Sequence, residues 1–280
     1  MKVHVTTVST SLLDSARQNG DVGRIVSGLG LGDWGTLRSD DERQDVIARD
    51  FDALIEVVLN YLRRVGLKSC TGLDPVFSAM RRFGHRADEV YVLIYVADVW
   101  NAKLVGEAVR EYLRGRRIRS ELVAVKAVSS GESFYAGVED LFDKVVYRIL
   151  KFKEQGNEVY INATPGPKPE TVFLSVAGLL AGADAIYYKY PDTDEVVVLP
   201  SPPIKLDPKY SEWLAALAKE GPTVSRKRAE ELGVPVDLLE RRGLVEREGE
   251  DAYRLRGWAR KMAGLYPPEG GSKTTGARPS

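Results

Sequence analysis

Residues 158–180 read EVYINATPGPKPETVFLSVAGLL. The run Val159-Tyr160-Ile161 is β-branched and aromatic, the composition of a strand. It ends in Asn162-Ala163-Thr164, and a new apolar run begins after Glu170. Between them stand two prolines, a glycine and Lys168. Pro169 suits the first turn of a helix, because its missing N–H would have had no partner there. A strand that hands over to a helix in this way is the unit of a parallel α/β sheet.

Working outward, the same alternation repeats. KVHVTTV at 2–8 is a strand and Ser9–Gly20 is turn-rich. Asp41–Val65 carries Val46, Phe51, Leu54, Ile55, Val58, Leu59 and Leu62 at helical spacing. A short helix is predicted at Pro75–Phe83, and EVYVLIYVA at 89–97 is apolar enough for a strand covered on both faces. Helix, strand, helix follow at 102–113, 121–128 and 134–152, then the strand at 158–163 and the helix at 169–180. Strands at 185–190 and 195–199 close the series. The fold class expected is α/β: a Rossmann-like, mostly parallel sheet with helices on both faces and a terminal antiparallel hairpin.

At Ser201-Pro202-Pro203 the pattern breaks. Helices at 210–219, 224–232 and 236–242 precede LVEREGEDAYRLRG, which reads as a hairpin with Gly249-Glu250-Asp251 at its tip. That order predicts a small winged helix-turn-helix. The expected domains are 1–204, 205–266 and a disordered tail at 267–280 that lacks apolar residues.

Composition narrows the function. The chain has 280 residues, 44% of them hydrophobic, with 40 basic and 40 acidic side chains. No global field recruits nucleic acid or membrane, so an anion site must be local. The single cysteine, Cys70, excludes an internal disulfide or multi-cysteine zinc site and reads as a small semi-buried residue. No apolar stretch reaches the ~20 residues that cross a bilayer, and no signal peptide is evident, so a soluble, cytoplasmic protein without membrane partners is expected.

His4 lies inside the first strand and reads as a packed residue; His85 in RRFGHR reads as a loop residue. They are far apart in sequence and form no H-x-x-H spacing, so neither a metal site nor a cofactor is expected. GLGLGDWG at 28–35 does not follow a strand and reads as a flexible loop rather than a dinucleotide fingerprint. Two loops at carboxyl ends of strands remain as ligand candidates: Ser9-Thr10-Ser11 and Asn162–Lys168. Hydroxyls in the first can donate to phosphate or ribose oxygens. The second sits at a helix start, where N–H groups and the dipole favour an anion, and Lys168 adds a full charge. Pro165 and Pro167 each remove a donor, so a rigid turn with an exposed lysine is the competing reading. Asp98 and Asn101 follow the strand at 89–97 and either line the same cleft or, for Asp98, cap a helix. Phe134 or Tyr135, within SSGESFYAG at 129–137, either stacks on a base or packs a helix.

VSTSLL at 8–13, YVLIYVADVWNAK at 91–103, NATPGPKPE at 162–170 and VVVLPSPPI at 196–204 together resemble the CRISPR-associated Rossmann fold (CARF) proteins with a C-terminal winged helix, of the archaeal ring nuclease type. The Asn-x-Thr-Gly-Gly-x-Lys type of loop is the most specific match, and the chain departs from it at Pro165, where the family usually has glycine. The resemblance implies a homodimer that binds cyclic tetra-adenylate across its axis and cleaves it without metal. It makes Ser11 and Lys168 the catalytic positions and places Thr10 and Asn162 to Gly166 in the binding loops; Ser9, Thr164 and Pro167 complete the expected contacts. The chemistry it implies is attack of a ribose 2′-OH on its own phosphodiester, with Lys168 stabilising the charged phosphorane and Ser11 orienting the ring. Relatives with an effector ribonuclease need an Arg-x(4–6)-His signature, and no histidine follows His85. Arg226, Lys227, Arg228, Arg241, Arg242, Arg254 and Arg256 are the candidates for DNA contact. Between Lys209 and Lys261, however, 12 basic and 10 acidic residues nearly cancel, a balance under which the module would serve mainly in dimerisation.

Overall fold

Six stretches rich in β-branched residues alternate with helices whose apolar positions recur every three or four residues, and they build the sheet that the alternation predicts. The computed structural model describes residues 1–66, 73–126, 132–165, 168–190, 193–202 and 204–263. Contacts divide the chain into two units, Met1–Lys205 and Leu206–Ser280.

In the first unit, β1 (Lys2–Thr7) leads to α1 (Ser11–Arg17), α2 (Gly20–Gly28), α3 (Arg43–Arg49), α4 (Phe51–Val65) and α5 (Leu73–Phe83). Then come β2 (Val90–Ala97), α6 (Trp100–Gly115), β3 (Arg119–Val125), α7 (Glu132–Glu154), β4 (Glu158–Asn162) and α8 (Lys168–Leu180). The antiparallel pair β5 (Ala185–Lys189) and β6 (Val196–Leu199) completes it. Six strands take the order β3-β2-β1-β4-β5-β6. From β1 the chain moves to one side through β2 and β3, then crosses back to β4 and continues the other way. The crevice between the carboxyl ends of β1 and β4 is therefore the switch point where helices diverge to opposite faces.

Helix packing fixes that crevice. Leu54, Val58 and Leu62 of α4 are buried against the core of Val92, Ile94 and Val105. On α8, Leu174 and Ala177 are fully buried, and Gly178 lets the helix lie close on β4: a Cβ there would stand 2.6 Å from Ile161 Cγ1.

Several readings of the sequence change. The turn-rich stretch after β1 is largely helical, because Leu12, Leu13, Ala16, Val22 and Val26 find a buried apolar stripe. The long helix expected over 41–65 breaks at Asp50, whose N–H still bonds to the Val46 carbonyl while its own carbonyl accepts from Leu54. GLGLGDWG is no free loop: Leu31 and Trp34 are fully buried, and the Trp34 indole donates to the Leu13 carbonyl at 2.7 Å.

The second unit contains α9 (Pro208–Glu220), β7 (Thr223–Ser225), α10 (Arg226–Glu231), α11 (Val236–Arg241), β8 (Val245–Glu248), β9 (Ala252–Leu255) and α12 (Gly257–Met262). Asp207 caps α9 by accepting from the Lys209 N–H at 2.9 Å, with Pro208 at the first position. Ser225 caps α10. The start of the second predicted helix is instead the strand β7, which pairs with β9, and β8–β9 form the expected hairpin. Leu214, Leu217, Leu239, Val245 and Tyr253 fill its core. This is a winged helix-turn-helix. Among the described residues no helix is long and apolar enough to cross a membrane. Cys70 and the tail from 267 lie outside the described residues.

Candidate functional site

The strand order brings the two loops singled out in the sequence to one place. β1 pairs in parallel with β4, Val5 opposite Ile161, and both chains leave the sheet at the same end. Side chains then tie them together. Asn162 Nδ2 donates to Thr6 Oγ1 at 3.0 Å, and Thr7 Oγ1 donates to the Pro165 carbonyl at 2.8 Å. Thr171 Oγ1, from the first turn of α8, donates to that same carbonyl at 2.8 Å.

Three of the expected ligand contacts take part in this network. Asn162 is 0% exposed, and its Oδ1 accepts the Thr164 N–H at 3.1 Å. Thr164 Oγ1 accepts the Lys189 N–H at 2.9 Å. Pro165 is buried, with its carbonyl holding two hydroxyls. These residues build the loop from inside. A polar side chain as deep as that of Asn162 must find internal partners. The proline is compatible with this geometry because the loop uses its carbonyl and needs no donor there.

The groups left facing outward are the hydroxyls of the first loop. Ser9 Oγ and Ser11 Oγ share a hydrogen bond of 2.8 Å, and the Ser11 N–H donates to Ser9 Oγ at 3.2 Å. Thr10 occupies the N-cap position of α1 without using its side chain as a cap. Ser11 is exposed. Lys168 is the first residue of α8, so its backbone stands where the helix dipole presents positive charge. The side chains of Lys168, Phe134 and Tyr135, and all of Gly166 and Pro167, lie outside the described residues.

Asp98 and Asn101 are engaged by other parts of the chain. The N-cap of α6 is Val99, and Asp98 pairs with Lys103 Nζ at 2.5 Å instead of capping. It borders a cleft of about 320 Å³ with Asp40, Asp41, Glu42 and Asp45, whose carboxylates do not favour a phosphate. Asn101 is 2% exposed. Its Nδ2 donates to the Trp34 and Leu37 carbonyls at 3.1 and 3.3 Å, and Gln44 bonds to both its Oδ1 and its N–H. Asn101 is a clamp for the 34–44 segment.

Three features escaped the sequence reading. Glu170 sits on the inward stripe of α8, one turn before Leu174, and burial pushes its carboxyl up to about 7. Its spacing to Leu174 and Ala177 was the available signal. Lys189 of β5, only 8% exposed, pairs with Asp74 of α5 at 2.6 Å directly behind Thr164. Nothing local announces a partner more than a hundred residues away. The two histidines, distant in sequence, meet: His4 Nε2 lies 3.1 Å from His85 Nδ1, and His4 Nδ1 shares a hydrogen bond of 3.1 Å with the Tyr187 hydroxyl. Burial first, and His85 second, push His4 down to about 3. The pair packs with Tyr160 and Phe83 and begins only two residues into β1, so it belongs to the structural core. Among the described residues no group of three or more His, Cys, Asp or Glu side chains is arranged to hold a metal.

In the second unit most candidate DNA-contacting arginines already hold carboxylates. Arg226 makes a two-pronged contact with Asp237 at 2.9 and 2.7 Å, and Arg228 does the same with Glu220 at 2.9 and 3.1 Å. Arg254 and Arg256 both pair with Glu246. Lys227, Arg241 and Arg242 remain exposed. The third helix, α11, presents Asp237 and Glu240, and the wing tip presents Glu248, Glu250 and Asp251.

Comparison with known proteins agrees with this division. Residues 68–202 match the family model described as CRISPR-associated protein (Cas_APE2256), and residues 208–266 match the SSO1393-like winged-helix domain. The first span contains the Lys168 loop, whereas the Ser11 loop precedes it. Among solved structures the chain is similar to protein VC1899 from Vibrio cholerae, with 12% identity and a TM-score of 0.38. The alignment covers 68% of this chain and 61% of that one, so the chain spans less than two thirds of its length. A likeness that loose carries no functional argument.

Proposed function

Because the chain is a CARF-type CRISPR-associated protein with a C-terminal winged helix, we propose that it is a ring nuclease. It binds cyclic tetra-adenylate across a homodimer axis and cuts it to linear di-adenylates, ending type III CRISPR signalling. The observation that carries this reading is the crevice between β1 and β4, from whose neighbouring carboxyl ends the Ser9–Ser11 loop and the loop into α8 emerge, tied by the Thr7 hydroxyl on the Pro165 carbonyl.

The chemistry asks little of the protein. The ring supplies its own nucleophile, a ribose 2′-OH, which forms a bond to phosphorus as the bond to the 5′-oxygen breaks. Holding these atoms in line supplies much of the acceleration. Thr10 and the Ser9–Ser11 pair donate to ribose or phosphate oxygens, and the α8 N-terminus with Lys168 stabilises charge on the phosphorane. Two-fold symmetry sets one such site at each of two opposite phosphates. With no histidine at this end of the sheet to relay protons, turnover is slow, which suits a timer.

The test is incubation of the purified protein with cyclic tetra-adenylate in EDTA. Linear di-adenylate is expected; an intact ring after hours at growth temperature rejects the proposal. The rival reading, a ring-responsive transcription regulator that does not cut, draws on the winged helix alone. Ring-dependent gel shifts on promoter DNA with uncut ligand would favour it. The carboxylates on α11 and the wing, which offset the exposed Lys227, Arg241 and Arg242, speak against it.

A further inference from the structure

At the opposite end of the sheet from the ring crevice, five arginines fall within ten residues: Arg110, Arg114, Arg116, Arg117 and Arg119. They run from the last turns of α6 into β3, which is an edge strand. Arg110, Arg114, Arg117 and Arg119 line one cleft of about 540 Å³, together with Tyr91 and a single carboxylate, Glu111. Such a volume suits a nucleotide-sized group.

The charge balance of this cleft differs from that of the winged helix. Arg110 pairs with Glu107 at 2.7 Å, and Arg114 pairs with Glu111. Arg116 lies over the Tyr112 ring. Among the described residues Arg117 has no carboxylate partner, and Arg119 touches only the Met1 sulfur, at 2.8 Å. The nearby Glu121 is already held by Arg148 and by the Tyr91 hydroxyl.

The backbone adds a second, independent observation. Arg117 has φ 61°, and no other described residue except glycine has a positive φ. It closes α6: its N–H donates to the Arg114 carbonyl at 3.0 Å, and the next N–H, from Ile118, reaches the Leu113 carbonyl at 3.1 Å. Glycine normally fills this position because an L side chain is strained there. Gly66, Gly84, Gly156 and Gly182 take it after other helices of this unit. An arginine kept where glycine would be easier marks a place where side-chain chemistry outweighs backbone comfort.

From this cleft we infer an accessory binding groove for a single-stranded nucleic acid, separate from the ring site. Arg110 and Arg114 are one helical turn apart, and Arg117 and Arg119 continue the row toward the sheet edge. Guanidinium groups grip phosphates two-pronged and lie flat against bases. A recessed row of this kind follows one flexible strand, whereas a duplex would need a projecting helix or wing to enter its groove.

The test is fluorescence anisotropy of the full chain with a labelled 20-mer of single-stranded RNA across a salt series. Compared proteins are wild type, Arg117→Gly, and the triple variant Arg114→Ala, Arg117→Gly, Arg119→Ala. Wild type should bind, with the logarithm of affinity falling linearly against the logarithm of salt. The triple variant should lose at least about tenfold in affinity at low salt, and its slope should flatten by about 2. Arg117→Gly should bind more weakly while its thermal midpoint holds or rises, a combination that a purely structural role for this arginine does not give. Ring cleavage should be unchanged in both variants. No binding by wild type, equal binding by the triple variant, tighter binding of duplex or of polyglutamate, or displacement by sub-millimolar mononucleotide or inorganic phosphate would each overturn the proposal.

Discussion

Glu170→Gln is the perturbation that most directly probes the environment at the start of α8. Burial lifts the carboxyl from 4.5 to about 7, against the pull of a helix N-terminus, which favours the carboxylate. For an acid whose folded value lies above its unfolded one, the folded protein holds the extra proton between the two. The contribution of Glu170 to stability is therefore present below pH 4.5, is lost as pH rises to about 7, and stays lost above it. A gap of about 2.5 units corresponds to about 3 kcal/mol, and partial exposure reduces this to about 2. Glutamine keeps the shape and removes the charge. Against wild type it should gain about 2 kcal/mol at pH 8 and close to nothing at pH 4.5, or about 4–8 °C in Tm for a unit of this size. The assay is a pair of thermal melts at each pH, read as a difference so that other titrating groups cancel. An equal difference at both pH values, or a less stable variant at pH 8, would refute the reasoning. Under the ring-nuclease proposal the same variant should also bind the ring more tightly at pH 8, because a buried negative charge near the start of α8 is removed.

His4 carries the opposite dependence: with its folded value near 3, the unfolded chain binds the extra proton between about pH 6.5 and 3, and stability falls as pH drops through that window. The loss should approach about 4 kcal/mol, and a His4→Phe variant should show a flatter profile in urea titrations over that range. Asp74→Asn strands the Lys189 amine and should cost about 3 kcal/mol in urea unfolding, with Lys189→Met restoring much of it. Lys168→Ala should slow ring cleavage at least about tenfold, the scale of one lost charge-assisted contact, measured in single-turnover assays. Gly178→Ala sets a methyl group against Ile161; a cost of about 1–3 kcal/mol and weaker ring binding by calorimetry are expected, since α8 must shift.

The sheet was legible because its signals are local. Strands such as VYVLIYVA and the proline at the start of α8 declare themselves within a few residues. The position of the crevice followed from a general rule about strand ends, and the two loops named by that rule do flank β1 and β4. What escaped was partnership. Asn162 and Asn101 look like exposed polar residues near a ligand, but each is buried and tied to side chains or carbonyls from distant segments. Asp98 looked like a cap because it precedes a helix, yet Lys103 offered it a full charge. Lys189 with Asp74, and His4 with His85, meet only after the chain has crossed the sheet.

A net charge of zero conceals three different uses of cations. In the winged helix Arg226, Arg228, Arg254 and Arg256 face carboxylates of their own unit, so their charge is largely spoken for, and an incoming phosphate must compete with it. At the start of α8 the sequence puts a lysine at the first helical position, which under the ring-nuclease proposal suits a compact anion at the positive end of the helix dipole. Along the end of α6 the guanidinium groups outnumber the carboxylates, and one of them persists in a backbone conformation that favours glycine. Arginine is therefore mostly a cross-link in the winged helix, whereas along the end of α6 Arg110 and Arg114 are cross-linked and Arg117 and Arg119 are available charges. The difference lies in whether an acidic side chain stands within about 4 Å, the reach of an ion pair. By that criterion the accessory-groove proposal rests on Arg117 and Arg119, which have no carboxylate within that reach among the described residues.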